Sequence, residues 1–237
     1  MKDQQANPFA NPIKDQQLQI LLNQFELISK NTLLQMSIVK KLLDNPELDS
    51  LFEEAINNEI IIDRLEVKMR EEVAFTIFKV APVAEDLRRI IAYQDLTTNL
   101  ERIGDMAINV MRFLREIDFN HPDLHELKNL CGEMVESVMQ MIRNSIMSFT
   151  NESIETAYGV LKSDNLVDDQ YHTVKDLLCN LYSNRNLGPE QIKEMIGIEC
   201  IAHNLERCGD SATNIAESTI YLIKGRDVRH AKSESEA

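Results

Sequence analysis

Residues 99–110 read NLERIGDMAINV, and residues 204–215 read NLERCGDSATNI. A shift of 105 residues lays Leu100, Glu101, Arg102, Gly104, Asp105, Ala107 and Asn109 on Leu205, Glu206, Arg207, Gly209, Asp210, Ala212 and Asn214. Carried upstream without a gap, the same shift lays Glu59 and Asp63 on Asp164 and Asp168, so that Asp63–Asp105 and Asp168–Asp210 are both spaced by 42. Self-similarity at a fixed offset is the mark of a duplicated unit. The chain therefore reads as two halves of one architecture.

The first copy lies on a helix whose apolar residues, Leu96, Leu100, Ile103, Ala107, Val110, Leu114 and Ile117, alternate steps of four and three. That alternation is a coiled-coil seam. Ile201, Leu205, Cys208, Ala212, Ile215, Thr219 and Leu222 repeat it. The turn signals DNPELD, KVAPVAED, TNES and NRNLGPE divide the chain into helical stretches of about 15–44, 47–80 and 83–118, then 122–149, 152–184 and 189–224. With only 7 Gly, 6 Pro and no Trp, little is left for turns or strands. Long helices joined by short connections pack as antiparallel bundles. The expected fold is all-α, three helices to each half. Residues 1–14 and 225–237, polar or charged without apolar period, are expected to be disordered.

A net charge of −14 argues against nucleic acid or an anionic membrane as partner and favours a cation or a basic protein surface. No apolar run exceeds four residues, whereas a membrane helix needs roughly 20, so no membrane insertion is expected. The start, MKDQQANPFANP, lacks the apolar core of a signal peptide, which points to the cytoplasm. Cys131, Cys179, Cys200 and Cys208 make no C-x-x-C pair and are expected to be buried free thiols.

Glu101 and Asp105 sit one helical turn apart on one side, where like charges cost about 0.2–0.5 kcal/mol. Such pairs are ordinary on a solvated helix face. Four of them in duplicated register, Glu59/Asp63, Glu101/Asp105, Asp164/Asp168 and Glu206/Asp210, are not. If the second helix turns back near residue 82, the two pairs of each half come level, and four carboxylates converge in each. Oxygen-rich clusters of this kind suit Mg²⁺, Mn²⁺, iron or zinc.

Gly104 and Gly209, inside the pairs, each cost about 0.8–1 kcal/mol against Ala in a helix interior. Close approach of a neighbouring helix, or room for ions, would require them. Arg102 and Arg207 are placed for surface ion pairs or for an anion held by the metal, and Asn109 and Asn214 lie on the same motif as accessory candidates. His172 and His203 fall near the second-half acids, but their first-half counterparts are Val67 and Thr98, so neither belongs to a shared design.

The motifs NLERIGDMAINV and NLERCGDSATNIAE, with the two upstream acidic pairs, resemble the PhoU family of phosphate-uptake regulators over about residues 15–224. The resemblance implies two pseudo-symmetric antiparallel three-helix bundles within the chain, 15–118 and 122–224, and a homodimer of two such chains. It also implies multinuclear iron or zinc clusters, one held by Glu59, Asp63, Glu101 and Asp105 and the other by Asp164, Asp168, Glu206 and Asp210. Where family members commonly carry His after the Gly-Asp pair, this chain has Met106 and Ser211; where many carry Asp two residues before the motif Glu, it has Asn99 and Asn204. By resemblance the function is negative regulation of the phosphate-starvation response. The protein would link the ATPase subunit of the phosphate ABC transporter to the phosphate-sensing histidine kinase at the inner face of the membrane.

Two other readings fit the same residues. Clustered carboxylates with metals can hydrolyse phosphoesters, but no nucleophile or general base stands out beside the pairs, so no enzyme is expected. A metal-free helical scaffold would leave the acids simply solvated. No Gly-rich phosphate loop and no Arg cluster at a helix start indicates capture of free phosphate.

Overall fold

A computed structural model describes residues 12–183 and 185–225. They form six long helices, α1 (Pro12–Asp44), α2 (Asp49–Val80), α3 (Ala84–Leu114), α4 (His125–Thr150), α5 (Ile154–Tyr182) and α6 (Pro189–Lys224), with a short 3-10 turn, Pro122–Leu124, ahead of α4. No strand occurs among the described residues. Helices α1, α2 and α3 pack on one another, α4, α5 and α6 do the same, and the halves join chiefly through α3 against α6, with α1 against α4 beside it. This is the duplicated all-α architecture expected.

The apolar period dictates the packing. Every seam residue of α3 and its copy on α6 is buried, Leu100, Ile103, Ala107, Leu205, Cys208 and Ala212 completely so. At one end of the inter-half interface Phe25, Tyr93 and Phe149 meet edge to face, with ring centroids 5.0–6.0 Å apart, which ties α1 and α3 to α4. Burial pushes the Tyr93 hydroxyl up to about 12. No helix among the described residues is long and apolar enough to cross a membrane.

Breaks fall where backbone chemistry demands. Ala81 takes a left-handed conformation (φ 46°) and donates its N–H to the Ile77 carbonyl, and Pro82 cannot continue the helix. The Ser153 hydroxyl accepts from Thr156 N–H at 3.2 Å to start α5. At α6, the Gln191 side chain accepts from Gly188 N–H at 3.0 Å, and Pro189 opens the first turn.

Three boundaries differ from the sequence reading by three residues or more, the others by two at most. Residues 12–14, expected in a disordered terminus, are the first turn of α1, while 1–11 and 226–237 lie outside the described residues. Helix α3 stops at Leu114 and not at 118, because the Asp118 carboxylate accepts from Asn120 N–H at 3.1 Å and its carbonyl from His121 N–H, a turn that competes with the helix. Ile117 and Phe119 stay buried nonetheless. Helix α4 begins at His125 and not at 122, since Pro122 initiates a 3-10 turn. All four cysteines are free, but Cys179 is exposed and Cys200 partly so, because neither falls on a seam.

Candidate metal centre

The tight turn at 81–83 folds α3 back along α2, so that one turn of α2 carrying Glu59 and Asp63 faces the turn of α3 carrying Glu101 and Asp105. Carboxylate oxygens of Glu59, Asp63 and Asp105 all lie within 4.8 Å of one another. Glu101 stands beside this trio and senses the charges of Asp105, Glu66 and Asp63. Asp63 and Asp105 are exposed; Glu59 and Glu101 are half-buried.

Gly104 explains the closeness. A Cβ at this position would sit 3.1 Å from Glu59 Oε2 and 3.2 Å from Ile62 Cδ1, so the missing side chain is what admits α2 with its carboxylate. Behind Glu59 lies a buried polar relay that the sequence reading missed. Gln35 Nε2 donates to Glu59 Oε2 at 3.3 Å and to the Ala55 carbonyl at 3.1 Å, and Asn58 Nδ2 donates to Gln35 Oε1 at 2.6 Å. Gln35 is fully buried. The available signal was a polar residue interrupting the apolar stripe of α1, since a buried amide needs partners.

Crowding shows in the protonation of the trio. The Glu59 carboxyl is pushed up to about 8, first by burial, then by a hydrogen bond with Asp105 and by the charges of Asp105, Asp63 and Glu101. Burial and the neighbouring Asp105 and Glu66 raise Asp63; burial and Asp105 raise Glu101, with Arg102 opposing. Glu59 Oε1 is buried without a hydrogen-bond partner. An orphaned carboxylate oxygen beside two exposed ones is a donor set of hard oxygens, and it fits a divalent cation.

The second half does not repeat the geometry. Glu206 and Asp210 are both raised, by burial first and then by Asp210 and Asp168 respectively, so the acids remain neighbours. Yet among the described residues only the first-half trio draws its oxygens within 4.8 Å. The expected convergence of Asp164, Asp168, Glu206 and Asp210 is thus looser, and the expected fourth member of the first group, Glu101, stands outside the trio. Two contacts set this half apart from the first. Thr213 Oγ1 donates to Asp164 Oδ1 at 3.2 Å, a hydroxyl where the first half has Ile108. His203 Nδ1 lies 3.7 Å from Glu206 Oε2, too long for a hydrogen bond, and that oxygen is buried without one. A Cβ at Gly209 would meet only Val167 and Met141 at ordinary distances of 3.5 Å and beyond. His172 and His203 flank the Tyr171 ring and join no such ligand group among the described residues.

The accessory candidates meet elsewhere. Arg102, Asn109, Arg207 and Asn214 line one cleft between α3 and α6, shared with Asp105 and Asp210. Neither arginine stands at a helix start, and the two meet from positions 105 residues apart.

Comparison with known proteins agrees with this architecture. The PhoU domain pattern matches residues 26–114 and 132–219. A Clostridium acetobutylicum protein named phosphate-specific transport system accessory protein PhoU homolog is 32% identical over 181 residues, covering 76% of this chain and 80% of that protein. A Xylella fastidiosa protein of the same name is 34% identical over 183 residues, covering 76% and 72%. The crystal structure of PhoU from Pseudomonas aeruginosa superimposes with a TM-score of 0.80 at 25% identity, over 90% of this chain and 99% of that one.

Proposed function

The chain belongs to the PhoU family, and from that premise we propose that it is a metal-binding regulatory adaptor of phosphate uptake. It restrains the phosphate-starvation response by docking between the ATPase subunit of a phosphate ABC transporter and a phosphate-sensing histidine kinase. Two supports stand behind the reading. Relatives at about a third identity are named accessory proteins of phosphate-specific transport. The carrying observation is the trio of Glu59, Asp63 and Asp105, with one Glu59 oxygen buried and unpartnered.

In this reading Glu59, Asp63 and Asp105 hold a cation, with Glu101 alongside, and Asp164, Asp168, Glu206 and Asp210 hold a second, weaker one. The cation supplies the positive charge that lets crowded carboxyls ionise together. The residues of the chain do the rest. Gln35 fixes the Glu59 carboxylate, Gly104 admits it, and the exposed Asp63 and Asp105 turn the group outward where a partner can reach it. Iron or zinc are the first candidates and manganese or magnesium the next.

Elemental analysis of untagged protein, wild type against Asp105→Ala and Asp210→Ala, tests the metal half of the proposal. Metal in the wild type that falls most in Asp105→Ala is expected; equal, negligible metal in all three would leave a scaffold. A pull-down from cells grown in low and high phosphate tests the adaptor half. Recovery of the transporter ATPase or the sensor kinase is expected, and recovery of neither in either condition would remove the adaptor role.

A further inference from the structure

Cys208 Sγ lies 3.9 Å from the carbonyl oxygen of Ile103, and Cys208 is the repeat mate of Ile103. Helices α3 and α6 thus face each other through the same face, which a two-fold rotation requires and a translation cannot produce. A residue that touches its own mate lies on the axis that relates them. The cleft beside this contact is lined by Arg102 and Arg207, Asp105 and Asp210, Met106 and Ser211, and Asn109 and Asn214. These are four pairs of mates, each offset by 105, so the cleft straddles the pseudo-dyad. Its volume is about 360 Å³.

Neither Arg102 nor Arg207 makes a side-chain hydrogen bond or an ion pair among the described residues, nor does the side chain of Asn214 hydrogen-bond there. Asn109 accepts from Arg112 through Oδ1 at 3.1 Å, which leaves its amide hydrogens uncommitted. Two planar guanidinium forks and two carboxamides therefore offer donors into one space. Forked donors of this kind match the oxygen pairs of a tetrahedral oxyanion better than a point charge does.

We propose that this cleft binds one tetrahedral inorganic oxyanion of the phosphate type per chain, gripped on the pseudo-dyad by Arg102 and Arg207, with Asn109 and Asn214 completing the donor set. The anion itself has two-fold axes, so each half can take two of its four oxygens. A phosphate monoester keeps only three free oxygens and cannot satisfy both forks alike, which selects the free anion. Asp105 and Asp210 line the same cleft and oppose an anion, so occupancy of the acidic groups by a cation strengthens binding. The assignment stands on the paired arginines and not on the adaptor role.

Calorimetric titration of inorganic phosphate into the protein as purified, and after chelation, tests it. One phosphate per chain is expected, tighter before chelation. Arg102→Gln and Arg207→Gln should each weaken it by about tenfold to a hundredfold, as loss of hydrogen bonds to a charged group does, and by similar factors because they are mates. Arg102→Lys should restore only part of the loss. Both arginines are exposed and lie outside the carboxylate trio, so the variants should keep wild-type circular dichroism and still retain metal in phosphate-free buffer, which separates this test from that of the metal site. Sulfate should compete, and a phosphoserine peptide should bind more weakly. No phosphate binding by the wild type, two phosphates per chain, unchanged affinity in the double Gln variant, or a peptide as tight as free phosphate would each overturn the proposal.

Discussion

Replacing Gly104 and Gly209 by alanine, one at a time, puts opposite demands on two positions that the sequence makes equivalent. In a helix interior alanine is better than glycine by about 0.8–1.0 kcal/mol. At Gly209 nothing offsets this gain, since the new Cβ would meet Val167 Cγ1 at 3.5 Å and the Met141 methyl at 3.7 Å, ordinary contact distances. Gly209→Ala should therefore stabilise by about 1 kcal/mol, raising Tm by about 2–4 °C in a chain of this size. At Gly104 the Cβ would stand 3.1 Å from Glu59 Oε2, 3.2 Å from Ile62 Cδ1 and 3.4 Å from Ile62 Cγ2. Ile62 is completely buried and Glu59 is tied to Gln35, so neither can recede freely. Overpacking of this kind costs about 1–3 kcal/mol, which cancels or exceeds the helix gain. Gly104→Ala should thus fall at or below wild type, about 1 kcal/mol or more under Gly209→Ala. Thermal unfolding of chelated protein by calorimetry reads the difference directly. Equal rises in Tm for both variants would show that α2 yields without cost and that Gly104 is not what holds it close.

The raised Glu59 makes the chelated protein less stable as pH rises. Its folded value of about 8 lies above the ordinary 4.5, so the folded state binds more protons between these limits, and stability present below about 4.5 is lost as pH climbs through about 8. Because Glu59 keeps solvent contact, screening reduces the loss to about 2 kcal/mol; Glu59→Gln should flatten the profile in urea titrations, and a flat wild-type profile would contradict the crowding. Asp63→Asn should weaken the tightest cation site in a manganese titration while Asp168→Asn leaves it intact, since the first half alone gathers its oxygens; equal effects would count against the asymmetry. Gln35→Leu strips Glu59 and Ala55 of a donor and takes from the buried Asn58 amide one of its two acceptors, the Asn31 carbonyl at 2.9 Å remaining, so a destabilisation of about 1–3 kcal/mol is expected in chemical denaturation.

The sequence carried the fold because a seam of four-and-three steps is local information, readable from Leu96 to Leu114 without knowing what packs there. The duplicated acidic pairs were legible for the same reason, each being one helical turn. What lay beyond reach depends on side chains brought together from afar. Gln35 reaches Glu59 across two helices, Thr213 reaches Asp164 across 49 residues, and the arginines share a cleft although they stand 105 apart. The end of α3 was misjudged because apolar period continues through Ile117 while the Asp118 turn has already broken the helix.

Duplication also sets the two kinds of site apart. A group held within one half, such as Glu59 with Asp63 and Asp105, can differ from its counterpart, as where Thr213 bonds Asp164 and the first half has Ile108 in its place. A cleft on the pseudo-dyad has no counterpart, since both halves build the same space. Its Arg102/Arg207, Asp105/Asp210 and Asn109/Asn214 pairs remain matched residue for residue, and only Met106 and Ser211 differ. Asp105 belongs to both places, to the trio through its carboxylate and to the cleft through its position. Any cation that neutralises Asp105 removes a negative charge from the cleft, and any anion in the cleft adds one beside the trio. Linkage makes that coupling reciprocal: the factor by which cation occupancy tightens the anion must equal the factor by which the anion tightens the cation.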